Sequence, residues 1–185
     1  MVEQMQEPQI EIVENEKCPI CGANELTMTE MERDIPFFGP VAIFSMDCNA
    51  CKYHKADLEA LEMKDPVKYV LEINSEEDMK IRVVKSSMAT IKIAHVGSIE
   101  GGPASNGYVT NVEGILNRMK RQVEHLKETA DDKAQEKKAK NIIKKLQKVI
   151  WGQEKIKLTL EDPTGNSAII SEKAVKTKLK VKKQK

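Results

Sequence analysis

The feature that most constrains this chain is the arrangement of its four cysteines, the only cysteines among 185 residues. They form two Cys-x2-Cys pairs, Cys18 with Cys21 and Cys48 with Cys51. Each pair can form a tight turn that points two sulfur atoms at one metal ion, and the long spacer lets the two turns face each other. Zn²⁺ favours four thiolates in a tetrahedron. The spacing therefore predicts a zinc ribbon that holds one structural Zn²⁺ ion.

Three other uses of four cysteines compete with this interpretation. A disulfide framework is disfavoured, because residues 1–17 are acidic and lack the basic and apolar regions of a secretory signal. A redox pair of the thioredoxin kind needs a Cys-x2-Cys segment beside a β–α–β pattern, which the sequence does not show. An iron–sulfur cluster stays open, although ribbon-like spacing favours zinc.

His54 follows Cys51 at Cys-x2-His spacing and is a rival ligand. Four thiolates already fill a tetrahedral site, so we expect His54 to lie on the flanking surface. A filled site has no open position for a water molecule, which disfavours a catalytic zinc ion.

The composition indicates an aliphatic core and a well-solvated surface. Hydrophobic residues make up 40% of the chain but aromatic residues 4%, and 32% of the residues are charged. No apolar run approaches the roughly 20 residues that a membrane helix needs, so we expect a cytoplasmic protein without membrane contact. The net charge of +1 hides an acidic excess in residues 1–132 and a basic excess in residues 133–185. The basic third could face an acidic partner, protein or nucleic acid, or be neutralised by the acidic part of the same chain.

Residues 1–16 are expected to be an acidic, mobile N-terminus, and residues 17–60 the zinc-ribbon domain. Between the two cysteine pairs lies a segment with two phenylalanines bracketed by prolines and a glycine, Asp34 to Pro40. This composition predicts a rigid turn that leads into a β-like run over residues 41–46. Phe37 and Phe38 either complete the small core of the ribbon or present one ring to a partner.

Residues 61–172 are expected to form a β-domain with an inserted helical hairpin at 110–151. Alternating apolar and polar residues predict strands at 67–73, 79–83, 89–93 and 155–160, with a flexible glycine-rich loop over 97–107. Thr110 and Glu113 have the spacing of a capping box at the start of the first helix. The tip of the hairpin is almost entirely polar, which suggests that it projects from the domain.

Two segments follow the hairpin. Residues 162–167 read Asp-Pro-Thr-Gly-Asn-Ser, a strong turn in which Asp162 and Asn166 could cap the backbone. Residues 173–185 are expected to be a Lys-rich tail, although alternating lysines also fit a lysine-protected edge strand.

Several of these segments together resemble one family, the ZPR-type zinc-finger proteins. The matching stretches occur in the family's order: Cys18-Pro-Ile-Cys21, Asp34-Ile-Pro-Phe-Phe-Gly39 running on to Cys48-Asn-Ala-Cys51-Lys-Tyr53, Val84-Lys-Ser-Ser-Met-Ala-Thr-Ile91, Thr110-Asn-Val-Glu-Gly-Ile-Leu116 and Asp162-Pro-Thr-Gly-Asn-Ser167. The chain looks like the single-module, archaeal form of the family. It departs from the family pattern at Lys52, where Gly is frequent, and at residues 93–95, where the family often has Pro-Glu-Leu.

The resemblance implies both a fold and a function. The implied fold is mainly β with an α-helical hairpin: a four-Cys zinc ribbon followed by a β-sandwich-like domain into which the hairpin is inserted. The implied function is binding to translation elongation factor 1-alpha and chaperoning the folding of that GTPase. Phe37, Phe38, Asp162 and Asn166 are the residues that we expect to contact the partner.

Two other classes of function compete with a non-enzymatic chaperone. Binding of nucleic acid through the basic C-terminal third is the main alternative, but the ribbon itself is not basic and aromatic residues for base stacking are scarce. An enzyme is disfavoured, because His95 and His125 have no nucleophile beside them in the sequence pattern.

Overall fold

The structure, a computed structural model, describes residues 10–36, 38–61 and 64–180. The first four strands are β1 (Ile10–Glu16), β2 (Leu26–Ile35), β3 (Gly39–Cys48) and β4 (His54–Ala60). They form one antiparallel sheet in the order β1-β2-β3-β4. Both cysteine pairs lie at the same end of this sheet, because one pair precedes β2 and the other spans the turn from β3 to β4.

The second part of the chain forms a sandwich of two antiparallel sheets. Its strands are β5 (Val67–Ile73), β6 (Arg82–Lys85), β7 (Thr90–Ile93), β8 (Gly97–Ile99), β9 (Tyr108–Asn111), β10 (Ile156–Asp162), β11 (Ala168–Ile170) and β12 (Val175–Lys178). One sheet has the order β12-β5-β10-β7-β8 and the other β11-β6-β9.

Alternating aliphatic residues build the core between these sheets. Leu158 on β10 lies opposite both Leu71 on β5 and Ile93 on β7, so three aliphatic side chains share one row. Val83 and Ile169 close the same core from the smaller sheet. Full burial of such a side chain contributes about 1.5–3 kcal/mol, so a core without Phe or Trp is sufficient at this size.

The ribbon sheet and the sandwich are joined by buried apolar contacts and by backbone hydrogen bonds. Leu58 on β4 packs in one cluster with Val84 of the sandwich. The outer edge of β4 is also paired, since the Gly107 N–H donates to the Ala56 carbonyl at 3.0 Å and the Ala56 N–H to Asn106 Oδ1 at 3.2 Å. Hydrogen bonds therefore connect the edge of the ribbon sheet directly to the sandwich.

Two antiparallel helices, α1 (Val112–Glu128) and α2 (Lys133–Ile150), form the predicted hairpin. The predicted capping box is wrong by one residue: Asn111 is the N-cap, and its side chain accepts the Gly114 N–H at 2.8 Å. Thr110 is still paired in β9, opposite Val83, so the helix begins only after it.

The hairpin has a buried base and an exposed tip. Ile115, Leu116 and Leu146 belong to the main core, whereas Leu126 near the tip is 63% exposed. No helix among the described residues is both long and apolar enough to cross a bilayer. The mainly β fold with a helical hairpin is thus confirmed.

The prediction of a mobile segment over residues 1–16 is wrong for residues 10–16, which form β1; residues 1–9 lie outside the described residues. Ile10 lies opposite Met31 and Ile12 opposite Thr29, so alternation of apolar and acidic residues makes this segment an edge strand. The predicted loop over 97–107 likewise begins with a short strand, β8.

The prediction of a Lys-rich tail is also wrong for residues 175–178, which form β12 on the edge of the larger sheet; residues 181–185 lie outside the described residues. The physical reason is anchoring on both sides of the strand. Lys173 Nζ contacts Asp78 Oδ1 at 2.6 Å, and the Leu179 N–H donates to the Pro66 carbonyl at 3.0 Å. The lysines of β12 protect the edge, as the alternative interpretation held.

We expect Lys173→Met to destabilise the protein by about 1–3 kcal/mol near neutral pH, because it leaves the buried Asp78 carboxylate without its cation. Burial raises the pKa of Asp78, but hydrogen bonds from the Asn74 N–H and Lys173 outweigh it and hold the pKa below its usual value. A depressed pKa contributes stability above the unfolded pKa that is lost as the pH falls through the folded pKa.

The difference in free energy of unfolding between Lys173→Met and the wild type should therefore become smaller as the pH falls. Urea unfolding followed by circular dichroism at about pH 7 and about pH 3, on either side of the ordinary Asp pKa, measures it. Lys180→Met, an exposed lysine beyond β12, is the matched control. Equal destabilisation by both substitutions would contradict the assignment.

Candidate metal centre and adjoining groove

Two turns with the same backbone geometry carry the four cysteines. The Cys18 carbonyl accepts the Gly22 N–H at 3.0 Å, and the Cys48 carbonyl accepts the Lys52 N–H at 2.9 Å. The cysteine N–H groups also pair alike, Cys18 with the Ala23 carbonyl at 2.8 Å and Cys48 with the Tyr53 carbonyl at 2.9 Å. Each turn therefore directs two sulfur atoms to the same side, and the β2–β3 pairing brings the two turns face to face.

The four sulfur atoms lie within 4.8 Å of one another. Cys18 Sγ is 3.8 Å from Cys51 Sγ, and Cys21 Sγ is 3.8 Å from Cys48 Sγ. Tetrahedral Zn–S bonds of about 2.3 Å require sulfur separations of about 3.8 Å. The four cysteines are thus positioned to bind one zinc ion.

The protonation of the thiols also points to a cation. A backbone N–H of Cys21 lowers the pKa of Cys18 to about 7. For Cys51 the Tyr53 N–H acts in the same direction, but burial and the three neighbouring sulfurs outweigh it and raise the pKa to about 12. One thiolate therefore forms readily and the last one does not, unless a positive charge lies among them.

The four cysteines differ in exposure, and His54 lies apart from them. Cys18 and Cys48 are buried against Leu26, whereas Cys21 and Cys51 are exposed. His54 is not in the cluster: its Nδ1 lies 2.6 Å from Asp47 Oδ1 on the exposed surface, which confirms the prediction for this residue. Over the described ranges 10–36, 38–61 and 64–180, the donor set is therefore four sulfurs.

A groove of about 500 Å³ lies where the ribbon meets the sandwich. Its lining includes Phe38 from the turn between β2 and β3, Gly165 from the turn after β10, and Tyr69, Lys176 and Lys178 from the larger sheet. The structure thus brings together two segments that are distant in the sequence and that were each expected to contact a partner.

The four residues expected to contact a partner have different environments. Phe38 is half-buried and packs against the cluster that joins ribbon to sandwich, and Lys64 Nζ lies 3.5 Å from its ring centroid. Phe37 lies outside the described residues. Asp162 and Asn166 do not line the groove themselves.

Asp162 is completely buried beneath the turn. Its carboxylate accepts hydrogen bonds from the Ser86 hydroxyl at 2.8 Å and from the Thr164 N–H at 2.8 Å. Asn166 Oδ1 accepts the Ala60 N–H of β4 at 3.4 Å. These contacts favour the side-chain-capped turn, with Asp162 buried inside it and Asn166 half-buried against β4.

Sequence reasoning missed Lys85, a lysine with no exposed surface at the junction of ribbon and sandwich. Its ammonium donates to the Ser86 carbonyl at 3.0 Å and to Ser105 Oγ at 3.3 Å. Burial lowers its pKa, while the nearby carboxylates of Asp57 and Asp162 oppose that shift. The polar run after Val84 was the available signal, but no periodicity distinguishes a buried lysine from an exposed one.

Two family models match the chain: the ZPR1 zinc-finger domain over residues 11–62 and the ZPR1 jelly-roll domain over residues 77–185. An uncharacterized ZPR1-like protein of Methanocaldococcus jannaschii is 41% identical over 88% of this chain and 83% of its own length. A second, from Pyrococcus horikoshii, is 34% identical over 96% of this chain and 82% of its own length. The zinc finger chaperone of Schizosaccharomyces pombe is 30% identical over 82% of this chain but 33% of its own length.

We expect Cys51→Ser to abolish tight zinc binding and to unfold the ribbon before the central strands of the sandwich, because the metal supplies folding energy to the ribbon. Zinc content after dialysis and amide hydrogen exchange measured by mass spectrometry test this, with faster exchange expected in β2 and β3 but not in β10. His54→Ser is the matched control and should keep its zinc. Zinc retained by Cys51→Ser, or lost by His54→Ser, would contradict the ligand assignment.

Lys52 occupies a backbone conformation that suits glycine. Its φ is 59°, and Gly22 at the equivalent position of the first turn has a φ of 75°. A left-handed conformation costs an L-residue roughly 1–2 kcal/mol. We therefore expect Lys52→Gly to stabilise the zinc-loaded protein by about 0.5–1 kcal/mol in urea unfolding.

The reverse substitution provides the control. A Cβ at Gly22 would meet no atom within 4 Å, so Gly22→Ala tests the backbone cost without a clash. It should destabilise the protein. A Lys52→Gly variant that is less stable than wild type would show that the lysine side chain outweighs its backbone strain.

Proposed function

The chain belongs to the ZPR1 zinc-finger family, and from this membership we propose that it is a non-enzymatic folding chaperone that binds translation elongation factor 1-alpha. The observation that carries the proposal is the groove between ribbon and sandwich. It combines one wall from the zinc-dependent ribbon, at Phe38, with another from the turn over residues 162–167. A relative from fission yeast is itself named a zinc finger chaperone. The four free cysteines of this chain fit a reducing compartment, so we place the protein in the cytoplasm.

The chemistry of the groove suits a protein segment. Phe38 and Tyr69 offer aromatic surface, and each ring has a lysine ammonium nearby, Lys64 at 3.5 Å and Lys176 at 5.9 Å from the ring centroid. Aromatic surface bordered by cations binds apolar side chains flanked by carboxylates. An incompletely folded client exposes such segments before its own core has closed.

The hairpin supplies the second contact in this proposal. Ribbon and hairpin would grip the client GTPase from two sides, and the nucleotide state of the client would set its release. Nucleotide hydrolysis belongs to the client, because the glycine-rich segment 97–107 lacks the Gly-Lys-Ser/Thr of a phosphate-binding loop.

Nucleic-acid binding is the alternative, and the position of the lysines is what favours it. Most lysines of the basic C-terminal third lie on α2 and β12, on exposed faces. The ribbon carries an acidic excess, however, which disfavours a polyanionic partner. We therefore place protein binding first.

The test is co-purification of elongation factor 1-alpha with the tagged, zinc-loaded chain, in the presence of GDP or GTP. We expect recovery of the factor in one nucleotide state and release in the other. The paired substitution Lys176→Glu and Lys178→Glu, at exposed groove positions, should lower recovery roughly tenfold, as expected when anchoring contacts are reversed in charge.

Val109→Ala is the control, because Val109 is exposed and apolar but lies outside the groove. It should recover as much factor as the wild type. If the factor is recovered in neither nucleotide state, the client assignment is wrong. If the groove variant recovers as much factor as the wild type, the groove is not the binding site.

A further inference from the structure

Among the described residues, most lysines of α2 have no carboxylate within 4.0 Å, whereas two lysines of the larger sheet share one. Glu161 neutralises Lys68 at 2.8 Å and Lys92 at 2.6 Å on the larger sheet. On α2, only Lys140 and Lys145 have a carboxylate within 4.0 Å among the described residues. The remaining lysines of the helix, Lys133, Lys137, Lys138, Lys144 and Lys148, face solvent without one.

Some of these lysines border a concavity of about 450 Å³ between α2 and the turn that joins β7 to β8. We call this concavity the lysine crook. Its lining combines the apolar side chains of Ala134 and Ile142 with three lysines of the same helix, and His95 contributes from the β7–β8 turn: the lysines are Lys137, Lys138 and Lys145. The crook thus brings apolar and cationic side chains together on one surface.

The length of the crook fits a helical occupant. Ala134, Lys138 and Lys145 recur at helical spacing on one face of α2. At 1.5 Å per residue this face runs about 17 Å, the length of roughly three helical turns. A helix laid against it would place its apolar side on Ala134 and Ile142 and its polar side beside the lysines.

We propose that the lysine crook binds an acidic amphipathic helix of a protein partner. Charge complementarity with the lysines requires acidic side chains on the partner. The apolar side chains of Ala134 and Ile142 require an apolar face on the same helix. A nucleic acid is the poorer fit, because the lining of the crook has no Phe, Tyr or Trp on which bases could stack.

This inference rests on the proposed function only in that the client would supply the helix. The binding chemistry is independent of which client that is. The test therefore uses a synthetic probe, a fluorescein-labelled peptide of about 18 residues whose helix would have Leu on one face and Glu on the other. Binding to the full, zinc-loaded chain is followed by fluorescence anisotropy.

Two paired variants of the same helix separate the crook from general charge. Lys137→Glu with Lys138→Glu changes two lysines of the crook, and Lys144→Glu with Lys148→Glu makes the same charge change at exposed positions outside it. We expect the first pair to weaken peptide binding roughly tenfold and the second less than about threefold. Replacing Leu by Ser in the peptide should abolish binding.

Three results would overturn the proposal: no binding of the peptide, equal weakening by both pairs, or unchanged binding of the Leu-to-Ser peptide. A fourth would replace it with nucleic-acid binding: a single-stranded RNA of about 20 nucleotides that binds more tightly than the peptide and with a steep salt dependence. The groove pair Lys176→Glu and Lys178→Glu should leave peptide binding unchanged. The crook and the client assignment can therefore fail separately.

Discussion

Four sulfur atoms within 4.8 Å of one another cannot all carry negative charge unless a cation lies among them. The ribbon depends on this constraint, because its own core is small: Cys18, Leu26 and Cys48 are its fully buried members beneath the metal site. Such a module gains much of its folding energy from metal binding. A metal ion bound by Cys18 and Cys48 would therefore hold the paired ends of β2 and β3 in this register.

That register extends the influence of the metal to the rest of the molecule. The far ends of β2 and β3 hold Phe38 between them, and Ile35 and Val41 pack there against Val84 of the sandwich. Beside this cluster, Asp57 Oδ1 accepts the Ser87 N–H at 2.9 Å. If the ribbon unfolded on loss of its metal, Phe38, its apolar cluster and Asp57 would all leave the sandwich. The groove therefore requires both domains to be folded.

Gly107 shows how closely the two parts approach. A Cβ there would lie 2.4 Å from Asp57 Oδ1 and 3.0 Å from the Leu58 nitrogen, so only glycine leaves room for the backbone pairing with β4. Lys85 fills the remaining polar space, with Asp57 and Asp162 offsetting the cost of burying its charge. Each part therefore supplies groups that the other needs.

The features predictable from the sequence are those determined by local spacing. The four ligands follow from Cys-x2-Cys geometry, and the hairpin from helical periodicity. Edge strands were harder, since β1 and β12 are exposed along their whole length and show no buried stripe. Whether these two segments are ordered depends on partners far along the chain, Met31 for Ile10 and Asp78 for Lys173. No local pattern contains such contacts.

The groove and the lysine crook were not predictable for a related reason. A site formed by two distant segments exists only after the sheets have paired. The sequence therefore showed the Phe38 turn and the 162–167 turn separately, but not that they lie on one groove. For Asp162 the turn pattern predicts a backbone cap, whereas the family resemblance implies a contact with the partner. Its burial reflects the hydroxyl groups of Ser86, which follows β6, and of Ser167, at the end of the same turn.

The distribution of charge restricts the partner more than either site does alone. Glu11 lies directly opposite Glu30 on the ribbon sheet, and Glu32 is two strands from Glu59 in another row. None of these has a cationic partner within 4.0 Å among the described residues, although like charges opposite each other destabilise a sheet. The ribbon is thus acidic and α2 basic in a chain whose net charge is +1. A protein that contacts both must present basic surface to one and acidic surface to the other, a polarity that a uniform polyanion such as a nucleic acid lacks.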